Sequence, residues 1–139
     1  QWVREFQGIT WYNDSKGTNV GATLAAIQGL GEHMQGKLVV IAGGQAKGAE
    51  FSSLREPMKD YVRELVLIGE DADQIASDLD GSVAINRADD MADAVNQAHR
   101  SAQPGDVVLL SPACASFDMF QNFAHRGDVF QQCVNHLKK

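Results

Sequence analysis

The sequence predicts an α/β fold, with a mostly parallel sheet of about six strands and helices on both faces. Apolar runs of four or five residues alternate with segments of helical periodicity along the whole chain. These runs are continuously apolar, as expected of parallel strands that are buried on both faces. No run approaches the length of a membrane span, and no repeat or linker divides the 139 residues, so we expect one domain.

The N-terminal quarter predicts a hairpin followed by a helix. The segment "VREFQGITWYND" predicts two strands that turn at Gln7-Gly8, with the outer strand able to run antiparallel at a sheet edge. A helix is predicted from Thr18 or Asn19, and Gly31 stands where a C-terminal cap belongs. Its apolar face is formed by Val20, Leu24, Ile27 and Leu30.

The middle of the chain predicts two further strand–helix units. The segment "KLVVIAGG" predicts a buried strand, and residues Ser52 to Lys59 predict a short polar helix. Pro57 indicates a break or a late start of that helix. The segment "LVLIG" predicts the next strand, and Asp71 to Leu79 predict its helix.

The C-terminal half predicts a strand at "SVAIN", a helix over Asp89 to Ala102, and a last strand at "PGDVVLLS". A final helical stretch is predicted to break near Arg126-Gly127 and to restart at Asp128. The residues expected to point inward from these two helices are Met91, Ala94, Val95 and Ala98 in the first, and Phe120, Phe123, Phe130, Val134 and Leu137 in the second.

Composition and charge exclude several classes of function. The net charge of −6 and the absence of a Lys/Arg-rich block argue against a nucleic-acid partner. The chain begins at Gln1 and shows no secretory signal, so we expect a fragment or a processed form of a cytoplasmic protein. Cys114 and Cys133 lie too far apart for a Cys-x-x-Cys motif, which indicates two reduced thiols.

Three loops carry the candidate chemistry, because ligands of open parallel sheets bind beyond the carboxyl ends of the strands. In "NDSKGTN", Asp14 and Lys16 precede a helix and suit an anion, or a ribose diol with a phosphate. In "AGGQAKGAEF", two glycines permit close backbone approach and Lys47 can project over the crevice. In "SPACASFD", Ser116 at a helix start can receive a carboxylate.

Each loop also has an ordinary structural explanation: a capped turn, a flexible turn with a surface lysine, and an N-cap serine. The second loop is not a Walker motif, because its lysine precedes the glycine. Taken together, the loops surround one crevice of an acidic protein with two lysines and a serine. The sequence therefore predicts a site for a small anionic ligand that carries a carboxylate or a phosphate.

Cysteine chemistry and a metal site are weaker hypotheses. A nucleophilic Cys114 would need a base, and none of the four histidines is linked to it by a recognisable motif. We therefore interpret Cys114 as a small buried thiol. Cys133 and His136 provide too few ligands for a metal ion.

At these same loops the sequence resembles the C-terminal domain of the Mur ligases, and among them the members that add D-glutamate. The matching segments are "WYNDSKGTN", "GGQAKGAEF" and "SPACASFDMFQNFAHRGDVF". They occur in the order of the family, and the resemblance covers nearly the whole chain. One departure is Gln45, which stands where family members commonly have an acidic residue.

The resemblance implies a Rossmann-like domain of a peptidoglycan-synthesis ligase that uses ATP and Mg²⁺. Such a ligase adds D-glutamate to UDP-N-acetylmuramoyl-L-alanine through an acyl phosphate. Residues 1–139 would be the amino-acid-binding domain, while the UDP-binding domain and the ATP-binding domain, with its phosphate loop and metal ligands, would lie outside this chain. We therefore expect residues 1–139 alone to be inactive, monomeric and cytoplasmic, with no membrane or nucleic-acid partner.

The resemblance also implies roles for two residues of the first loop. Asp14 matches the position that holds the ribose of ATP. Lys16 matches one that faces the phosphate and the reaction intermediate, which makes Lys16 the catalytic candidate of this chain.

The D-glutamate pocket is implied by five further positions. Thr18 and Lys47 match residues that hold the side-chain carboxylate of D-glutamate. Ser116 matches the residue that takes the α-carboxylate, and the backbone around Phe117 and Phe123 completes the pocket.

Three other hypotheses remain open at the level of the sequence. The chain can be a stand-alone nucleotide- or anion-binding module with a regulatory role. It can be a Mur ligase domain for another amino acid. It can also be an acyltransferase that depends on Cys114, in which case a Cys114→Ala substitution would abolish its activity.

Overall fold

The structure, a computed structural model, describes residues 2–14, 20–43, 50–69, 72–111 and 123–137. Within these residues the strands are β1 (Trp2–Phe6), β2 (Ile9–Asn13), β3 (Leu38–Gly43), β4 (Val62–Ile68), β5 (Ala84–Arg87) and β6 (Val107–Leu110). The α-helices are α1 (Val20–Gly31), α2 (Arg55–Tyr61), α3 (Ala72–Leu79), α4 (Met91–Ser101) and α5 (Phe123–Asn135), and a 3₁₀ turn at Ser52–Leu54 precedes α2.

All six strands form one sheet in the order β1-β2-β6-β3-β4-β5. β1 pairs antiparallel with β2, and the other four pairs of neighbours are parallel. The predicted α/β fold and its antiparallel edge strand are therefore confirmed. The hairpin turns where the sequence predicts, with positive φ at Gln7 (56°) and Gly8 (81°). Positive φ at both turn residues matches the right-handed twist of the flanking strands.

The sheet is covered on both faces, which explains why its inner strands are continuously apolar. Along β3 every residue is buried, and successive side chains point to opposite faces. Val40 belongs to the core under α1, α2 and α3, whereas Val39 and Ile41 belong to the core under α4 and α5. Two separate cores thus share one sheet. None of the described helices is long and apolar enough to cross a membrane.

Helix α4 has the predicted buried face and a clear start. Its residues Met91, Ala94, Val95 and Ala98 are all buried. The carboxylate of Asp90 accepts a hydrogen bond of 2.8 Å from the backbone N–H of Asp93, which caps the first turn. In α2, Pro57 is the third residue, so it lies in the first turn where a missing N–H costs little.

The predicted break in the last helix is wrong. α5 runs from Phe123 to Asn135 without interruption, through Gly127 and Asp128. A glycine in a helix interior costs about 1 kcal/mol, and burying Phe130 and Val134 completely more than offsets this cost. Leu137 is buried as predicted, whereas Phe120 lies outside the described residues.

Candidate functional site

The topology brings the three candidate loops together. The first loop follows β2, the second follows β3 and the third follows β6. These strands are neighbours in the order β2-β6-β3 and run parallel, so their carboxyl ends lie at the same sheet edge. The helix after β2 packs on one face of the sheet, and the helix after β6 packs on the other. Ligands of such sheets bind at this kind of switch point, which here lies between β2 and β6.

Few of the predicted site residues lie in the described part of the chain. Asp14 does, immediately after β2. Phe123 begins α5, but its side chain is outside the described part. The remaining predicted residues lie outside the described residues and keep their roles as predictions: Lys16, Thr18, Lys47, Ser116 and Phe117.

Asp14 is held at the switch point by its backbone. Its N–H donates a hydrogen bond of 2.8 Å to the carbonyl oxygen of Leu110. Burial raises the pKa of the Asp14 carboxyl, and a hydrogen bond with the hydroxyl of Ser111 opposes that rise. Asp14 is half-buried, so its carboxylate can accept hydrogen bonds from a ligand.

Two fully buried hydroxyls lie close to Asp14 in the fold, and no sequence pattern singles them out. The hydroxyl oxygens of Thr23, on α1, and Ser111 lie 2.9 Å apart. The N–H of Ser111 donates to the carbonyl oxygen of Ile41 at 3.0 Å, which ties this point to β3. Thr23 follows Val20 by one turn on the apolar face of α1, and a polar residue on a buried face usually has a partner.

A cavity of about 320 Å³ adjoins Asp14 on the α1 side of the sheet. The residues that line it are Tyr12, Asp14, Ala25, Ala26, Gly29, Leu30 and Leu109. Apart from the carboxylate, its walls are largely apolar or small. A carboxylate beside such a wall can hold a ligand that combines hydroxyl donors with an apolar face.

Gly43, where the second loop begins, has a φ of +135°. A Cβ built at this position would overlap the carbonyl oxygen of Ile68 on β4. The close approach that the sequence indicates at this glycine is therefore to the neighbouring strand. A side chain at this position would push β3 away from β4 at the edge that carries the candidate site.

The described cysteine is not an activated nucleophile. Burial raises the pKa of the Cys133 thiol, and Asp90 raises it further. The Nδ1 of His136 lies 2.5 Å from the carbonyl oxygen of Gln132, at the end of α5. Among the described residues, no group of three or more His, Cys, Asp or Glu side chains can hold a metal ion. Cys114 lies outside the described residues.

Comparison with known proteins agrees with this architecture. Residues 1–114 match the family model "Mur ligase, glutamate ligase domain". A UDP-N-acetylmuramoylalanine–D-glutamate ligase of Legionella pneumophila (strain Lens) is 60% identical over 137 residues, which cover 99% of this chain and 31% of the relative. The chain thus spans about a third of the length of the curated relatives it matches.

Two solved structures share the fold. A domain assigned to a UDP-N-acetylmuramate:L-alanyl-γ-D-glutamyl-meso-diaminopimelate ligase of Haemophilus ducreyi superposes with a TM-score of 0.65 at 16% identity, over 96% of this chain and 98% of that chain. The MurF ligase of Thermotoga maritima in complex with ADP superposes with a TM-score of 0.58 at 18% identity, over 96% of this chain and 30% of that chain. With most of its length matched by the family model, the chain belongs to the Mur ligase, glutamate ligase domain family.

Proposed function

We propose that this chain is the D-glutamate-binding domain of an ATP-dependent ligase that adds D-glutamate to UDP-N-acetylmuramoyl-L-alanine. The observation that carries the proposal is the 60% identity to a ligase of that name along 99% of the chain. At this level of identity the amino-acid pocket of the relative is expected to be retained. The proposal places the protein in the cytoplasm, where the nucleotide-linked substrate is made.

The reaction forms one amide bond and consumes one ATP. A phosphoryl group moves from ATP to the carboxylate of UDP-N-acetylmuramoyl-L-alanine, which gives an acyl phosphate. The amino group of D-glutamate attacks the acyl carbon, and the tetrahedral intermediate releases inorganic phosphate. In this chain, Lys16 would stabilise negative charge on the phosphate and on the intermediate, and Asp14 would accept hydrogen bonds from the ribose hydroxyls of ATP.

D-glutamate brings two carboxylates, and the chain offers a separate group for each. Lys47 and Thr18 would bind the side-chain carboxylate, and Ser116 would bind the α-carboxylate together with the backbone near Phe117 and Phe123. This division is supported by the topology, because the loops that carry these residues leave three adjacent parallel strands. The amino group would then be left free to attack the acyl phosphate.

Magnesium would neutralise charge on the phosphates during the transfer. The described residues contain no cluster suited to a metal, so we assign no metal ligand to this part of the chain. In the proposal the metal is held by the ATP-binding domain, beyond residues 1–139.

A Lys47→Ala substitution in the full-length ligase tests the D-glutamate assignment. A charge-assisted hydrogen bond contributes about 1.5–3 kcal/mol, so the KM for D-glutamate should rise roughly 10- to 100-fold while the KM for ATP stays nearly constant. Lys59→Ala is the matched control, because Lys59 is an exposed lysine of α2. Equal rises for both substrates would instead assign Lys47 to the phosphates, and an unchanged KM for D-glutamate would contradict the proposal.

A further inference from the structure

Two buried hydroxyls lie beside Asp14 at the end of β2. The hydroxyls of Thr23 and Ser111 lie 2.9 Å apart, and neither residue has any exposed surface. Asp14 and Ser111 directly follow Asn13 and Leu110, which are paired across β2 and β6. Burial raises the pKa of the Asp14 carboxyl, and hydrogen bonding by the Ser111 side chain opposes that rise. These contacts join α1, the residue after β6 and the residue after β2.

The chemistry of the three groups fixes the direction of these bonds. An ionised carboxylate only accepts hydrogen bonds, so the Ser111 hydroxyl must donate to Asp14. The Ser111 oxygen can then accept, and Thr23 is its donor. The alternative acceptor for Thr23 is the carbonyl oxygen of Ser111, which is further away at 3.4 Å. Thr23 is thus the donor to Ser111, and Ser111 is the donor to Asp14.

The main chain of Asp14 and of Ser111 is already fixed by the sheet. The N–H of Asp14 bonds to Leu110, and the N–H of Ser111 bonds to Ile41. Only the side chain of Asp14 can still change its orientation, and hydrogen bonding through the two hydroxyls restricts this rotation. Thr23 and Ser111 are fully buried, whereas Asp14 is half-buried. A ligand at this edge can therefore reach Asp14 but neither hydroxyl.

We propose that Thr23 and Ser111 are positioning residues, which hold the Asp14 carboxylate in the orientation that binds the ribose hydroxyls of the nucleotide. This inference rests on the proposed function, in which Asp14 contacts ATP. It means that two residues that contact neither ATP nor D-glutamate affect the affinity for ATP. Their removal should weaken ATP binding through Asp14 and leave the D-glutamate pocket intact.

The test uses the full-length ligase with Thr23→Val and Ser111→Ala, assayed separately. Thr23→Val keeps the shape of the side chain and removes the hydroxyl. Loss of one neutral hydrogen bond should raise the KM for ATP roughly three- to tenfold. The KM for D-glutamate and kcat at saturating ATP should change less than about twofold. Thr23→Ser retains the hydroxyl and should restore the wild-type KM for ATP.

A purely structural role for the hydroxyls predicts a different pattern. Ser82→Ala is the matched control, because Ser82 is also a buried serine whose hydroxyl bonds to a backbone carbonyl, that of Leu79, near the start of β5. It should lower the melting temperature without changing the KM for ATP. If Thr23→Val and Ser111→Ala likewise lower only the melting temperature, the inference is overturned.

Asp14→Ala separates failure of this inference from failure of the proposed function. A raised KM for ATP in Asp14→Ala, with unchanged values in both hydroxyl variants, overturns the positioning role and leaves the role of Asp14 intact. An unchanged KM for ATP in Asp14→Ala overturns the nucleotide role of Asp14 and the inference with it. The D-glutamate assignment is tested independently by Lys47→Ala.

Discussion

The guanidinium Nε of Arg63 lies 2.7 Å from Oδ2 of Asp106, and the side chain of Asp106 is only 1% exposed. The same carboxylate accepts hydrogen bonds of 2.9 Å from the backbone N–H groups of Lys37 and Gln103. Arg63 is on β4, Lys37 precedes β3 and Asp106 precedes β6. One buried carboxylate therefore holds together the beginnings of the three strands, at the edge opposite the candidate site.

Replacing this carboxylate should destabilise the protein substantially. Asp106→Asn removes the charge that pairs with Arg63, and the amide NH₂ cannot accept the bonds that one carboxylate oxygen accepts. We expect the free energy of unfolding to fall by about 2–4 kcal/mol, measured by urea denaturation. Asp73→Asn breaks the ion pair of 2.7 Å with Arg87, in which both side chains are mostly exposed, and should have little effect. Equal effects of the two substitutions would contradict this account.

The contribution of Asp106 should also depend on pH. Burial alone would raise its pKa, but the hydrogen bonds from Arg63, Lys37 and Gln103 and the charge of Arg63 outweigh burial, so the pKa of Asp106 lies below its ordinary value. A group with a lowered pKa in the folded state stabilises the protein above its unfolded pKa, about 3.9. That stability is lost as the pH falls through the folded pKa.

Urea denaturation at a series of pH values checks the direction in which the stabilisation by Asp106 changes with pH. The difference in unfolding free energy between the wild type and Asp106→Asn should be largest near neutral pH and should shrink at pH values below about 4. A difference that grows on acidification would contradict the assigned direction.

Gly43 should tolerate no side chain. Its φ of +135° is unfavourable for any residue with a Cβ, and that atom would overlap the carbonyl oxygen of Ile68. Gly43→Ala should therefore lower the free energy of unfolding by about 2 kcal/mol or more. Gly29 provides the matched control, because it lies within α1 and a Cβ there would have no neighbour within 4 Å.

Gly29→Ala should leave stability unchanged or raise it by up to about 1 kcal/mol, since alanine is the better helix former. Thermal melts of both variants make the comparison. Equal losses at the two glycines would show that the strained conformation at Gly43 is not what requires glycine there.

Most of the fold could be predicted from the sequence because its strands are local apolar runs and its helices have local periodicity. The buried face of α4 is an example in which the signal lies within a few residues. The predicted break at Gly127 is wrong because it rested only on local residue types, a glycine followed by a possible capping aspartate. Phe130 and Val134 are buried against distant elements, and that burial keeps the helix continuous.

The candidate site was less predictable because its supports join distant parts of the chain. Thr23 and Ser111 are 88 residues apart. No local pattern indicates such a pair. The loops themselves were identified from their residue types, whereas the order β2-β6-β3, which places them side by side, depends on strand pairing between distant segments.

The most direct test of the D-glutamate assignment is an NMR titration of isotope-labelled residues 1–139 with D-glutamate, L-glutamate and ATP. The chain is expected to fold alone, because its described residues form one sheet with a buried core on each face. The account predicts amide shifts with D-glutamate, and not with L-glutamate, clustered at Thr18, Lys47 and residues Ser116 to Phe123. An equal response to L-glutamate, or no response of these loops in either the isolated chain or the full-length ligase, would contradict it.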